Sequence, residues 1–145
     1  MKGIRHVGIV VKDLGKALYF YRDLLGFKEI KKMDEKGSYI DLILGIKNIE
    51  VITVKLKADD NNLIELLCFS SGTGKTSTVS NLNDTGFSHV SCTVENIADE
   101  YDRLKKAGVN FISIPQISPD RSAKVAFCQD PEGNFIELVE VLVKK

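Results

Sequence analysis

The 145-residue chain has no excess charge of either sign: 20 acidic residues balance 20 basic ones, and no long basic run is present. That argues against nucleic acid as a partner. No apolar run is long enough to span a bilayer, and the N-terminal residues lack the apolar core of a secretion signal, so no membrane partner and a cytoplasmic location are expected. Cysteine is scarce and odd in number. Cys68, Cys92 and Cys128 each stand inside an apolar, strand-like run, and read as reduced, buried, structural thiols, with no evident histidine partner to make one catalytic. Histidine is scarcer still, with only His6 and His89. What remains, 43% hydrophobic and 28% charged residues, is the balance of a soluble globular chain. The length allows one compact domain or two half-size modules sharing a core.

The chain says nearly the same thing twice. The run IRHVGIVVKDLGKALYFYRDLLGFKEI from Ile4 is echoed by FSHVSCTVENIADEYDRLKKAGVNFIS from Phe87, which lays His6 on His89 at an offset of 83. NLIELL from Asn62 is echoed by NFIELV from Asn134, which lays Glu65 on Glu137 at an offset of 72. A repeat of this length fixes architecture. It predicts an α+β domain over 1–145, built of paired βαβββ modules at 1–70 and 87–145 with a linker over 71–86. The linker contains Gly74-Lys75-Thr76, the tail of a phosphate-binding loop. Phe69 occupies the place of that motif's first glycine, so a plain linker is the better account.

In the first module, apolar patterning predicts strands Ile4–Val11, Phe27–Met33, Ile49–Lys57 and Asn62–Phe69, and a helix Leu14–Leu25 capped by Asp13 and ended by Gly26. Helical and strand periods both fit Tyr39–Leu44. A short helix ending at Gly45 is favoured, because a clear strand follows. In the second module, strands are expected at Phe87–Val94, Val109–Ile114, Ala123–Cys128 and Asn134–Val143. Its helix runs Ile97–Ala107 behind Asn96, with a loop over Pro115–Ser122 and a tight turn at Asp130–Gly133.

Alternation on a strand then sorts the side chains. His6, Gly8 and Val10 share one face of the first strand, and His89, Ser91 and Thr93 share the matching face in the second module. Val7, Ile9, Val90 and Cys92 belong beneath the two helices. Glu65 and Glu137 interrupt Val/Ile/Leu strands, where a carboxylate is costly unless paired or metal-bound. Singly, each His or Glu reads as an ordinary polar residue. Together, the two repeats keep the same pair while other polar positions diverge, such as Lys12 against Glu95 and Lys16 against Asp99. His6, Glu65, His89 and Glu137 are therefore the candidate ligands of one divalent metal, with Zn, Ni, Co, Mn and Fe suited to the donor mixture. Ser91, Thr93, Arg121 and Lys124 are candidate substrate contacts, and ordinary surface residues on the plain reading.

The segments HVGIVVKDLGKALYFYRDLLGF, HVSCTVENI and DPEGNFIEL resemble the vicinal oxygen chelate superfamily: glyoxalase I, methylmalonyl-CoA epimerase, extradiol dioxygenases, fosfomycin-resistance and bleomycin-resistance proteins. The resemblance spans nearly the whole chain. It implies paired βαβββ modules whose sheets curl around a shared metal-binding cavity, with His6, Glu65, His89 and Glu137 at the ligand positions and a second copy of the chain as partner in a homodimer. The order His, Glu, His, Glu resembles that of bacterial glyoxalase I, whereas methylmalonyl-CoA epimerase has glutamine where Glu65 stands. Leu66-Leu67-Cys68 departs from the Leu-Thr pairing usual after that glutamate, and the glutathione-recognition segments have no counterpart. The resemblance implies a metal-dependent lyase or isomerase acting on a small chelating carbonyl substrate through an enediolate, with Glu137 or Glu65 as the base. An epimerase or dioxygenase of the same superfamily, and a non-catalytic small-molecule binding or resistance protein, are the alternatives.

Overall fold

The computed structural model describes residues 3–70, 74 and 81–142, so most of the expected linker, including Lys75 and Thr76 of the phosphate-loop tripeptide, lies outside them. The chain divides into two compact units, Met1–Thr76 and Ser77–Lys145. The fold is α+β: among the described residues there are a four-stranded sheet, a five-stranded sheet and three α-helices.

The first unit runs β1 (Val7–Val10), α1 (Leu14–Leu18), β2 (Lys28–Lys36), α2 (Ser38–Leu44), β3 (Glu50–Lys57) and β4 (Leu63–Phe69), with strand order β1-β4-β3-β2 and β1 parallel to β4. The Asp13 side chain accepts the Lys16 N–H at 3.0 Å and opens α1. The expected single helix Leu14–Leu25 is instead α-helical only to Leu18 and continues as a π-helical turn, Tyr19–Leu24. A wider turn narrows the angle between neighbouring side chains, and Phe20 and Tyr21 both enter the core with their rings edge to face at 5.0 Å. The short helix expected at Tyr39–Leu44 is present as α2 and stops at Gly45, whose φ of 67° suits glycine.

The second unit runs β5 (His89–Thr93), α3 (Ile97–Lys106), β6 (Asn110–Phe111), β7 (Gln116–Ile117), β8 (Ala123–Gln129) and β9 (Phe135–Val141). Its strand order is β5-β9-β8-β6, with β7 also on β8 and β5 parallel to β9. Asn96 caps α3 by accepting from Ala98 and Asp99 N–H. Two expectations change here. Val109–Ile114 keeps only the two paired residues of β6, and the loop expected over Pro115–Ser122 contains β7. Both are edge pieces held by a single neighbour, β8, where pairing rather than composition decides strand length.

Each sheet has one apolar face beneath its helix. In the first unit Ile9, Val11, Val54, Leu56, Ile64 and Leu66 are buried there with Ala17, Phe20 and Tyr21. In the second unit Ala126, Cys128, Ile136 and Leu138 are buried with Ile97 and Leu104 of α3, while Val90 and Cys92 are partly buried. Val7 departs from the expected set: it is 40% exposed. It starts β1, an edge strand, and its neighbours Ile9 and Val11 lie nearer the beginning of α1 and take the cover. A second small core, Ile40, Ile49 and Val51 with Leu67 and Phe69, packs α2 against the opposite face of the first sheet.

Candidate metal centre

Turns set the glutamates. In the β3–β4 connection Ala58 N–H donates to Asn62 O at 3.0 Å, and in the β8–β9 connection Asp130 N–H donates to Asn134 O at 2.9 Å. The fourth residue of each turn is left-handed, Asn61 at φ 71° and Gly133 at φ 89°. Aspartates hold both turns: Asp60 accepts from Asn62 N–H and Nδ2, and buried Asp130 accepts from Glu132 N–H, Asn134 N–H and Asn134 Nδ2. Each turn thus releases a strand whose fourth residue, counted from the asparagine, is a glutamate. A register slip of one residue would turn that side chain to the other face.

Parallel pairing then brings up the histidines. Gly8 stands opposite Glu65 and Ser91 stands opposite Glu137. The offsets of 83 and 72 therefore reproduce the register as well as the sequence. In the first unit His6 Nε2 lies 3.1 Å from Glu65 Oε2, and in the second His89 Nε2 lies 3.6 Å from Glu137 Oε2. The structure brings the four expected ligands together as two pairs, one in each unit. Among the described residues no group of three or more His, Cys, Asp and Glu side chains is gathered.

The surroundings of the pairs differ. Lys55, opposite Glu65 on β3, places Nζ 3.4 Å from Glu65 Oε1. The equivalent place on β8 is Phe127, opposite Glu137, whose ring meets the His89 ring edge to face at 5.2 Å. Ser88 Oγ lies 3.0 Å from His89 Nδ1, whereas His6 Nδ1 is buried without a hydrogen-bond partner among the described residues; its sequence counterpart to Ser88 is Arg5. Lys55, Phe127 and Ser88 were not among the sequence candidates. The hairpin itself held the signal for the first two, because reflecting Glu65 and Glu137 through their turns lands on them.

Ser91 and Thr93 are exposed on the His89 face as expected. Arg121 sits at φ 57° in the exposed turn before β8, donates its N–H to Ser118 O, and forms no ion pair with Glu137. Lys124, opposite Glu140 on β9, lies on the other face of the sheet from Glu137. Its Nζ rests on Glu140 at 3.3 Å, and Glu140 Oε2 accepts the Ile97 N–H that opens α3. Alternation puts Glu140 on the helix side, and its carboxyl is held below the usual range by that backbone hydrogen bond first and by Lys124 after it. Among the cysteines only Cys128 is fully buried. Burial, then the charges of Cys92 and Asp130, push its thiol up to about 12.

Two donors on one Zn-sized ion, each at about 2.1 Å and separated by 90–109°, stand about 3.0–3.4 Å apart. The observed 3.1 and 3.6 Å lie at or near that span, and two imidazoles with two carboxylates neutralise a divalent charge. Each pair taken by itself is spaced as two donors to such an ion would be.

The chain thus has an α+β fold that carries a His–Glu pair at the same place in each of its two units. The model of the Glyoxalase/Bleomycin resistance protein/Dioxygenase superfamily matches residues 3–138, and the chain belongs to that superfamily. It is 30% identical over 141 residues to a probable lactoylglutathione lyase of Synechocystis sp., covering 97% of this chain and 96% of that one. It is 29% identical over 142 residues to the lactoylglutathione lyase of Schizosaccharomyces pombe, covering 94% of this chain but only 46% of that longer protein. The crystal structure of a glyoxalase family protein from Bacillus cereus shares the fold with a TM-score of 0.90, covering 99% of this chain and 96% of that one at 23% identity.

Proposed function

We propose that the protein is a metal-dependent lyase or isomerase of the glyoxalase type, acting on a small carbonyl substrate with adjacent oxygens. The observation that carries this reading is the His–Glu pair repeated in identical parallel register, at 3.1 Å in one unit and 3.6 Å in the other. Relatives named lactoylglutathione lyase favour a hemithioacetal as substrate. His6, His89, Glu65 and Glu137 would hold the ion. A divalent ion bound there would act as a Lewis acid on a chelated carbonyl and so make the neighbouring carbon more acidic.

The two carboxylates are not equivalent bases. Glu65 Oε1 is already occupied by the Lys55 ammonium at 3.4 Å. Glu137 forms no ion pair with a lysine or arginine among the described residues, and its Oε1 is the atom left to remove the substrate's α-proton. General-base catalysis of this kind contributes about 10²–10⁴-fold. The test is deuterium wash-in to hemithioacetal and α-hydroxycarbonyl substrates, with elemental analysis of the same preparations. The expected result is one divalent ion per chain and exchange that chelation abolishes, with Glu137→Gln slower by that factor and Glu65→Gln affected less. Exchange that survives chelation, or a protein that takes up none of Zn, Ni, Co, Mn and Fe, overturns the reading.

A further inference from the structure

One row across the first sheet runs Gly8, Glu65, Lys55, Lys31, each residue opposite the next on β1, β4, β3 and β2. The row therefore lies on one face, the face of the His6–Glu65 pair. Two lysines directly opposite each other repel, and a sheet disfavours such a pair unless an anion stands over it. The sheet does contain a second such pair, Lys28 opposite Lys57, but there Asp59 answers Lys28 at 2.9 Å. In the Lys31–Lys55 pair only Lys55 is answered, and by Glu65, a carboxylate the metal site also needs. Lys31 forms no ion pair among the described residues, and Lys57 stands two residues further along the same face of β3. The second sheet differs at the equivalent places. Its row runs Ser91, Glu137, Phe127, and Ile112 donates its N–H to Phe127 O at 2.8 Å. The two rows share the glutamate of the His–Glu pair, but beside it the first carries two lysines and the second an aromatic ring.

Lys55 is partly desolvated, with its side chain 20% exposed. An ammonium in such a place needs a counter-charge. When Glu65 turns its charge to a divalent ion, Lys55 and Lys31 are left facing each other with none. From this we propose that Lys55, with Lys31 across from it, is the specificity determinant for an anionic oxygen group, carboxylate or phosphate, carried on the substrate. The inference rests on the proposed metal-site reading, but the lysine pair is open to a test that uses neither metal nor turnover.

Glu65→Gln removes the internal counter-ion without filling the site. Metal-free wild type, Glu65→Gln, Glu65→Gln/Lys55→Met and Glu65→Gln/Lys55→Arg are titrated calorimetrically with malonate and, separately, with inorganic phosphate. Releasing Lys55 from one ion pair raises anion affinity by about five-fold. Glu65→Gln is expected to bind at least one of the two probes tighter than wild type by that factor, Lys55→Met to remove the gain and Lys55→Arg to keep it. The preferred probe names the substrate's anion, carboxylate or phosphate. Should Glu65→Gln not fold, Glu65→Ala serves with the same expectation. No gain with either probe, or a gain that persists in Glu65→Gln/Lys55→Met, overturns the assignment. Metal uptake by wild type is measured beside it, so that failure of the metal site and failure of the lysine pair give different records.

Discussion

Ser88 and Arg5 occupy the same repeat position, and the difference decides how firmly each histidine is aimed. Ser88 Oγ donates its proton to Leu82 O at 3.2 Å and so, at 3.0 Å from His89 Nδ1, accepts from Nδ1–H, which holds the ring and leaves Nε2 free to bind metal. His6 has no such partner among the described residues. Loss of an outer-shell partner costs about 10–100-fold in metal affinity, so Ser88→Ala is expected to weaken binding by about ten-fold or more in a chelator competition, and His89→Ala, which removes the ligand itself, to weaken it further. A Ser88→Ala protein with wild-type affinity would show that the hydroxyl does not orient the ring. Cys128 makes a second residue-scale prediction. Its thiol, pushed up to about 12 by burial, stays protonated at neutral pH, and the thiolate is the reactive form. In the folded protein Cys128 should resist a thiol reagent at pH 8, and label promptly once the chain is unfolded in denaturant.

The elements show what a sequence can and cannot announce. The strands carrying Glu65 and Glu137 were legible because each is a short apolar, β-branched run interrupted by one glutamate, and the turns before them are spelled out by Asp60-Asn61-Asn62 and Asp130-Pro131-Glu132-Gly133-Asn134. The helix Ile97–Lys106 was legible from its cap and its seven-residue spacing of Ile97 and Leu104. The π-helical turn at Tyr19–Leu24 was not, because helical periodicity does not record how wide a turn is. Nor was the facing of Lys124, since β8 begins with small residues that alternate too weakly to separate its two faces. Lys55 was hidden differently: its position opposite Glu65 follows from hairpin register, which composition alone does not carry. Ile9 tests the assigned faces. Its side chain is 9% exposed beneath α1, and burying a branched side chain is worth about 1.5–3 kcal/mol before the cost of an unpaired charge. Ile9→Asp should therefore lower unfolding stability by at least about 3 kcal/mol in urea melts, and an unchanged midpoint would reverse the faces. The turn before β8 has a pH signature. Asp120 is lowered from 3.8 to about 2 by the Ser118 hydroxyl, the Ser122 N–H and the Ser122 hydroxyl, in that order. A depressed carboxylate contributes stability that is present above its unfolded value and lost as pH falls through the folded one. The hydrogen bonds of Ser118 and Ser122 should hold down to about pH 4 and fail towards pH 2, with the Asp120 carboxyl resonance titrating near the lower value.

At the scale of the whole molecule the number of donors decides. The chain carries two His–Glu pairs in the same register, and a pair alone supplies only two donors, fewer than the three or four protein ligands a zinc-like ion ordinarily takes. The proposed function therefore needs both pairs for each ion, and that has a thermodynamic consequence separate from catalysis. An ion that binds only the folded chain stabilises it by about 2.7 kcal/mol when present at 100 times its dissociation constant. For a chain of this size that corresponds to a rise in melting temperature of about 5–10 °C. His6→Ala and His89→Ala remove donors from different units. If one ion uses both pairs, each single variant should lose most of the metal-induced rise, and the double variant should lose little more, because the second substitution removes a ligand from a site already broken. If each pair bound its own ion, the wild type would take up two ions, each single variant would keep about half the rise, and the losses would add. Melting curves with and without Zn, Ni, Co and Mn, read against the metal content of the same four proteins, separate these outcomes. Additive losses with two ions per chain would sink the four-ligand site, and with it the route by which Glu137 is set beside a chelated carbonyl.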